Sequence, residues 1–322
     1  MILIGVSYIK ILFMGTDDFA VPVLQRLQAA GYEVAGVFTQ PDRPRGRGKK
    51  IHFSPVKAQA LAMNLTVYQP ESVKDPETVL LIESLAPEVI IVVAYGQIIP
   101  ASVLTVPEFG CINVHASLLP AYRGAAPIER ALMAGEHTTG ISIMQMDEGL
   151  DSGAVFAQQE VPITPGISGG ELRSLLSMVG AEFLLEVLPQ IFTRAIQPYP
   201  QVEQLASYAH KITRQDELID WQQGAYEIHN MIRALYPQPG AYTWWQNQRL
   251  KILQAQVMEE QIYAGLPGEI VAVERDFFLV KCGCHNLRVD KLMQAGRKAL
   301  SAADFLRGSP MQAGTLLGVL EE

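Results

Sequence analysis

Three side chains in this sequence could act together on a carbonyl group. Asn113 and His115 stand two residues apart at the end of an apolar run, Cys111 to Val114, and Asp151 follows in a later loop. Residues i and i+2 of a strand face the same side, so the amide and the imidazole can converge on one point. An amide and a protonated imidazole suit a developing oxyanion, and a carboxylate suits removal of a proton from an attacking amine. The chemistry this favours is attack by an external amine on a carbonyl, with no nucleophile supplied by the protein. Ser117 is close in sequence, but a serine two residues beyond a histidine on the same strand or turn is poorly placed to be activated by it. Each residue also has an ordinary explanation: an asparagine in a turn, a histidine satisfied in a core, an aspartate capping a helix.

The elements that must position these groups alternate as in an α/β protein. Lys10 to Gly15 reads as a strand, Phe19 to Ala30 as a helix opened by Asp17 and Asp18, and Glu33 to Thr39 as a second strand. Ser54-Pro55 caps a helix to about Asn64, Leu65 to Tyr68 is a short strand, and Asp75-Pro76 opens a helix to Leu85. Glu88 to Ala94 is β-branched almost throughout, as a central parallel strand requires. Tyr95-Gly96 follows it. After the Asn113/His115 strand come a helix at 126–134, strands at 139–146 and 154–162, and a helix from Ser168 to about Phe192. The strand ends carrying Asn113, His115 and Asp151 are expected at one edge of the sheet, where α/β folds bind ligands.

Two familiar motifs are declined. The turn Gly15-Thr16-Asp17-Asp18 lacks the later glycines of a dinucleotide loop and places carboxylates where a pyrophosphate would dock. Gly166-Ile167-Ser168-Gly169-Gly170 fits a nucleophile elbow, yet Glu171 follows Ser168 by three residues and a long helical pattern comes next, which is a capping box.

The chain has 322 residues, 49% of them hydrophobic and 18% charged, enough for two domains with their own cores. Cys111, Cys282 and Cys284 make neither a disulfide framework nor a zinc spacing, so a cytoplasmic protein without a metal is expected. Met1 to Tyr8 is too short and too poor in basic residues for a signal or a membrane span. It reads as an extension from an upstream start codon. The net charge of −8 argues against general affinity for polyanions. Against that background Arg43, Arg45, Arg47, Lys49 and Lys50 crowd one stretch. Its prolines and glycines forbid a regular element, so the cations are expected on a loop that contacts phosphate or nucleic acid. The pattern lapses over 195–213, a linker. Beyond it, a helix at 225–235 and about five short strands with little further helix suggest a small OB-like β-barrel. The expected division is therefore 1–206, a Rossmann-like, mostly parallel α/β domain, and 207–322, the barrel.

Taken together, Asn113-Val114-His115-Ala116-Ser117-Leu118-Leu119-Pro120, Asp151 and Ala94-Tyr95-Gly96 resemble the folate-dependent formyltransferases. Gln40-Pro41-Asp42-Arg43-Pro44, Arg47-Gly48-Lys49-Lys50, Arg123-Gly124-Ala125-Ala126-Pro127, Lys211-Ile212 and Ile219-Asp220-Trp221 are similar to the branch that acts on aminoacylated initiator tRNA. The resemblance runs from about Lys10 to the end of the chain. It implies transfer of a formyl group from 10-formyltetrahydrofolate to methionyl initiator tRNA by a monomer, with no metal, no covalent intermediate and no membrane. It further implies that Asn113 and His115 hold the formyl oxygen, while Asp151 positions His115 and relays a proton. Folate would lie along Tyr95, Gly96, Gln97 and Ile98, Ser117, Leu118, Leu119 and Pro120, and Asp147 and Gly149. The tRNA would meet Arg43, Arg45, Arg47, Lys49, Lys50 and Lys211. The sequence departs from the family pattern at Thr16-Asp17-Asp18, where Thr-Pro-Glu is usual, and at Ala121, where a basic residue is common.

Overall fold

The computed structural model describes residues 9–45, 50–260 and 263–319. The expected extension at 1–8 lies outside them, as do Arg47 and Lys49. In chain order the first elements are β1 (Lys10–Gly15), α1 (Val21–Ala29) and β2 (Glu33–Phe38). A single 3-10 turn precedes α1, capped by the Asp17 carboxylate, which accepts the Phe19 N–H at 3.2 Å. Next come β3 (Arg43–Arg45), β4 (Lys50–His52), α2 (Pro55–Ala62), β5 (Val67–Tyr68), α3 (Pro76–Leu85), β6 (Val89–Val93), α4 (Ala101–Leu104) and β7 (Cys111–His115). Ser54 caps α2 by accepting the Lys57 N–H at 3.0 Å. Then follow β8 (Arg123–Gly124), α5 (Pro127–Met133), β9 (Thr138–Gln145), β10 (Val155–Pro162), α6 (Gly169–Phe192) and β11 (Tyr208–Ala209). The capping box is present at the start of α6: Ser168 N–H donates to Glu171 Oε2 at 2.9 Å, and Glu171 N–H donates back to Ser168 Oγ at 3.3 Å.

The chain forms two compact units. One holds the residues up to Gly124 together with Thr138–Pro162 and Arg173–Ala209. Its seven-stranded sheet runs β10-β9-β7-β6-β1-β2-β5. The strands from β5 to β7 are parallel, while β9 is antiparallel to both β7 and β10. All five residues of β6 are buried. Each such side chain contributes roughly 1.5–3 kcal/mol relative to exposure, which is why the centre of the sheet is apolar throughout, with Leu12, Phe13 and Met14 of the neighbouring β1 buried as well. Helix α6 lies against β7 and β9 at Gly180, where an added Cβ would sit 3.0 Å from Val114 and 3.4 Å from Ile141. By length and composition α6 could cross a membrane, but Leu176, Ala181, Leu184, Leu188 and Ile191 are buried in the fold.

The second unit gathers Ala125–His137, Ile163–Leu172 and the chain from His210 onward. Its elements after the linker are α7 (Ala225–Leu235), β12 (Tyr242–Trp245), β13 (Gln248–Met258), β14 (Ile270–Val273), β15 (Phe278–Lys281), β16 (Asn286–Gln294), β17 (Leu300–Ser301) and α8 (Ala302–Gly308). The strands form one antiparallel sheet, ordered β12-β13-β16-β15-β14 with β17 against β16. The apolar side of α7 (Ala225, Ile228, Ile232, Leu235) shares a core with Leu250, Phe278, Val280, Leu287 and Val289. This is the small barrel-like sheet that the strand pattern leads one to expect. The short α8, capped by Ser301 on the Asp304 N–H, is an addition, because seven residues carry too little periodicity to register as a helix.

Two expectations are corrected. The Arg43–Lys50 stretch is not wholly irregular: β3 and β4 pair as an antiparallel ribbon, Arg43 opposite His52 and Arg45 opposite Lys50. A proline is tolerated there because a two-stranded ribbon leaves each strand an unpaired side. The second correction concerns β9. Because it runs antiparallel to β7, Gln145 lies opposite Ile112, and the loop carrying Asp151 leaves from the amino half of β7. It must reach back along the sheet.

Candidate active site

Strand β7 places Asn113 and His115 on one side, and Asp151 meets both. Asn113 Nδ2 donates to Asp151 Oδ1 at 3.5 Å, and His115 Nδ1 lies 3.7 Å from Asp151 Oδ2. The other imidazole nitrogen, Nε2, is 3.0 Å from the Tyr122 carbonyl. A carbonyl can only accept, so Nε2 carries a proton and Nδ1 is the atom presented to the carboxylate. His115 is 6% exposed, and the Asp151 side chain 16%. Both are therefore shielded enough for their mutual electrostatics to exceed those in water.

Asp151 arrives in a left-handed conformation, φ +50°, a region that aspartate visits more readily than most residues. Its carboxylate is anchored by the Gly124 N–H at 2.8 Å. Gly124 sits at φ +119°, where an added Cβ would stand 2.8 Å from the Ala209 carbonyl oxygen, so only glycine fits between the carboxylate and β11. Before it, the turn after β7 is tied by its own hydrogen bonds. Ser117 Oγ donates to the Ala121 carbonyl at 2.6 Å, Ser142 Oγ donates to the Ser117 carbonyl at 2.7 Å, and the Leu119 N–H donates to Ser142 Oγ at 3.0 Å. Ser117 is 1% exposed. Its hydroxyl holds the turn and is not directed to a base.

The segment after β6 is equally determined. The Tyr95 carbonyl accepts from Thr16 Oγ1 at 2.8 Å and from Gln40 Nε2 at 3.3 Å, while its ring lies in the core and burial pushes the phenol up to about 12. Gly96 has φ +87°, and Gln97 Oε1 accepts the Val73 N–H at 2.7 Å. Ile98 is exposed, Leu118 half-buried and Leu119 buried. Asp147 closes its own loop by accepting from the Gly149 N–H at 3.0 Å and from Ser152 Oγ at 2.9 Å. A Cβ on Gly149 would lie 2.0 Å from that serine oxygen.

Of the cationic residues, Arg43 is exposed and Arg45 and Lys50 lie on the paired strands. The ribbon is anchored at its base: Asp42 pairs with Lys57 and accepts from Gln69 Nε2 at 2.9 Å. The Lys57 hydrogen bond, followed by that of Gln69, holds the Asp42 carboxyl below its ordinary range. Lys211, in the second unit, is exposed. Asp17 and Asp18 do more than cap, since both pair with Arg173 of α6. Ala121 donates its N–H to the Leu118 carbonyl at 3.1 Å, a role that needs no side chain. Among the described residues no group of three or more His, Cys, Asp or Glu gathers as metal ligands.

One contributor lies in the linker and carries no motif. Gln201 Nε2 donates to the Asp151 carbonyl at 2.8 Å and to the Gly153 carbonyl at 2.7 Å, and its Oε1 accepts from Arg123 Nε at 3.0 Å. No local pattern in Gln197 to Gln201 signals this, because the partners lie about fifty residues or more away along the chain.

This architecture is shared with known proteins. Residues 9–188 match the family described as formyl transferase, and residues 211–310 match formyl transferase, C-terminal domain. A relative from Pelotomaculum thermopropionicum, named methionyl-tRNA formyltransferase, is 46% identical over 96% of this chain and 98% of its own length. Among solved structures, HypX from Aquifex aeolicus in complex with tetrahydrofolic acid superposes with a TM-score of 0.63 at 19% identity, covering 97% of this chain and 51% of that one. A methionyl-tRNA formyltransferase from Clostridium thermocellum gives 0.55 at 18% identity, over 79% and 95%. The structural likenesses establish the fold, and the sequence identity along almost the whole chain establishes more: the protein belongs to the methionyl-tRNA formyltransferase family.

Proposed function

We propose that the protein transfers the formyl group of 10-formyltetrahydrofolate to the amino group of methionine on initiator tRNA. The observation that carries this reading is the convergence of Asn113, His115 and Asp151 at 3.5–3.7 Å beside a serine already committed to the turn. An amide, an imidazole and a carboxylate without a protein nucleophile fit direct aminolysis. The methionyl amine attacks the formyl carbon and a C–N bond forms. Asn113 Nδ2 and the protonated His115 stabilise the oxyanion, and Asp151 accepts the amine's proton. The bond between the formyl carbon and folate N10 then breaks, and the proton passes to N10 as that nitrogen leaves.

In this reading the folate lies along Tyr95 to Ile98, Ser117 to Pro120 and Asp147 to Gly149, mostly against backbone, since several of those side chains are buried. The Arg43–Lys50 ribbon, with Arg45, Arg47 and Lys49, and Lys211 of the C-terminal part meet the tRNA phosphates. Residues 1–206 carry the chemistry and 207–322 hold the tRNA, in a cytoplasmic monomer that uses no metal. The test is purified full-length protein with 10-formyltetrahydrofolate and charged tRNA. Formylmethionine should form on the initiator species well ahead of the elongator species. Absence of product, or equal use of both tRNAs, refutes the assignment.

A further inference from the structure

We propose that Gln201 is a positioning residue for the reaction, acting through Asp151, and that Arg123 fixes its orientation. The inference rests on the role given to Asp151 above and extends it to the linker. Asp151 holds a left-handed backbone at φ +50°, a conformation that is strained for a non-glycine residue and persists only when the surroundings impose it. The carboxylate end is fixed by the Gly124 N–H at 2.8 Å. The backbone end is fixed by Gln201, whose single amide nitrogen bonds the carbonyls of both Asp151 and Gly153 at 2.8 and 2.7 Å.

The amide cannot serve equally well if turned over. Arg123 can only donate, and its Nε meets Gln201 Oε1 at 3.0 Å. A flipped amide would set NH2 against the guanidinium and an oxygen against two carbonyls. Arg123 is itself 2% exposed. Burial works against its charge, but Glu203 offsets that through contacts at 2.9 and 3.1 Å. Its backbone neighbours complete the circuit. Tyr122 O bonds His115 Nε2, Gly124 N–H bonds the Asp151 carboxylate, and the Arg123 N–H donates to the Ser207 carbonyl at 2.8 Å. Linker residues 199–209 therefore hold the histidine side and the aspartate side in one frame. Apolar burial does not account for this path, because Val202 and Leu205 are 54% and 67% exposed.

Gln201→Glu keeps the shape and the Arg123 contact but turns an oxygen toward both carbonyls. It should lower kcat by about 10- to 100-fold, the scale of a small misplacement of reacting groups. KM for tRNA and folate should stay within about threefold, Tm should fall only modestly, with the protein folded at the assay temperature, and the His115 ring resonances should move in selectively labelled protein. Gln201→Met, which removes the donors without adding charge, should show the same pattern if Q201E folds poorly. In an Asp151→Asn background, Q201E should cost less than about twofold, since residues acting as a unit are not additive. An unchanged kcat, an equal loss in the Asp151→Asn background, or a loss that tracks unfolding alone overturns the proposal. Should the wild-type protein not formylate tRNA, the functional reading fails by itself. The His115 resonances then decide the positioning role alone: unmoved in both variants, they overturn it.

Discussion

The turn around Asn113, His115 and Asp151 and the cationic ribbon lie in the same unit and are built on opposite plans. Around His115 and Asp151 a connected set of hydrogen bonds runs through Tyr122 O, Gly124 N–H, Gln201 and Arg123. The ribbon from Arg43 to His52 is two short strands fastened at its base by Asp42, Lys57 and Gln69. The contrast fits the tasks that the proposed function gives to each. Transition-state stabilisation falls off steeply with misplacement, so a site for that chemistry calls for fixed partners. Attraction of a polyanion acts over roughly a Debye length, about 8–10 Å, so a ribbon that met tRNA phosphates would need charge and reach more than fixed partners.

The largest effects should come from the trio. Asn113→Ala, His115→Ala or Asp151→Ala should each lower kcat by about 10²- to 10⁴-fold while leaving tRNA binding nearly intact, measured by steady-state kinetics and direct titration. Comparable losses in binding would break the division between the two regions. Next is Gly124→Ala, which adds a Cβ 2.8 Å from the Ala209 carbonyl oxygen at φ +119°. It should destabilise by about 1–3 kcal/mol and lower kcat along with Tm, whereas an alanine that leaves both unchanged would show that the frame is looser than its hydrogen bonds suggest. Replacing Arg45, Arg47 and Lys49 together by alanine should act mainly through tRNA. KM should rise, and the log–log salt slope should flatten by about 2–3 at most, given roughly 0.7–0.9 for each phosphate that is no longer neutralised. Full activity at low tRNA would remove the ribbon from the interface.

The smallest effect should lie in the second unit, at Asp216. The Arg130 hydrogen bond, acting against burial and aided by Thr213, brings its carboxyl down to about 2. A folded-state value below the unfolded one stabilises above the unfolded value and loses that contribution as pH falls through the folded value. Asp216→Asn should therefore cost about 1–2 kcal/mol near neutral pH, with the difference between variant and wild type vanishing as pH approaches about 2. Formylation kinetics at 25 °C should not change. A large fall in kcat would mean that this ion pair matters to the chemistry and not only to folding.

Much of the site could be read from local pattern. The i, i+2 spacing of Asn113 and His115, the Ser168–Glu171 box that disqualified a serine nucleophile, and the β-branched run at Val89–Val93 are all short-range signals, and all three appear as expected. The direction of β9 was not legible, because an alternating strand pattern is the same for parallel and antiparallel neighbours. For that reason the loop bearing Asp151 begins at the end of β7 opposite to the expected one. The ribbon at Arg43 to His52 was missed because prolines and glycines signal turns more strongly than three-residue strands signal pairing.

The sequence alone determined the chemistry available here: which residues could stabilise an oxyanion, which could take a proton, and where cations are concentrated. Those properties reside in side-chain types, caps and periods a few residues long. Only the tertiary structure decided how the groups are aimed. Asp151 reaches His115 through a left-handed backbone held by Gln201, and the Tyr122 carbonyl fixes a proton on His115 Nε2. Among these interactions, the Gln201–Arg123 and Gln201–Asp151 hydrogen bonds join residues 78 and 50 positions apart. The physical reason is that a hydrogen bond is specified by where its partners meet in space, and no local periodicity encodes that meeting.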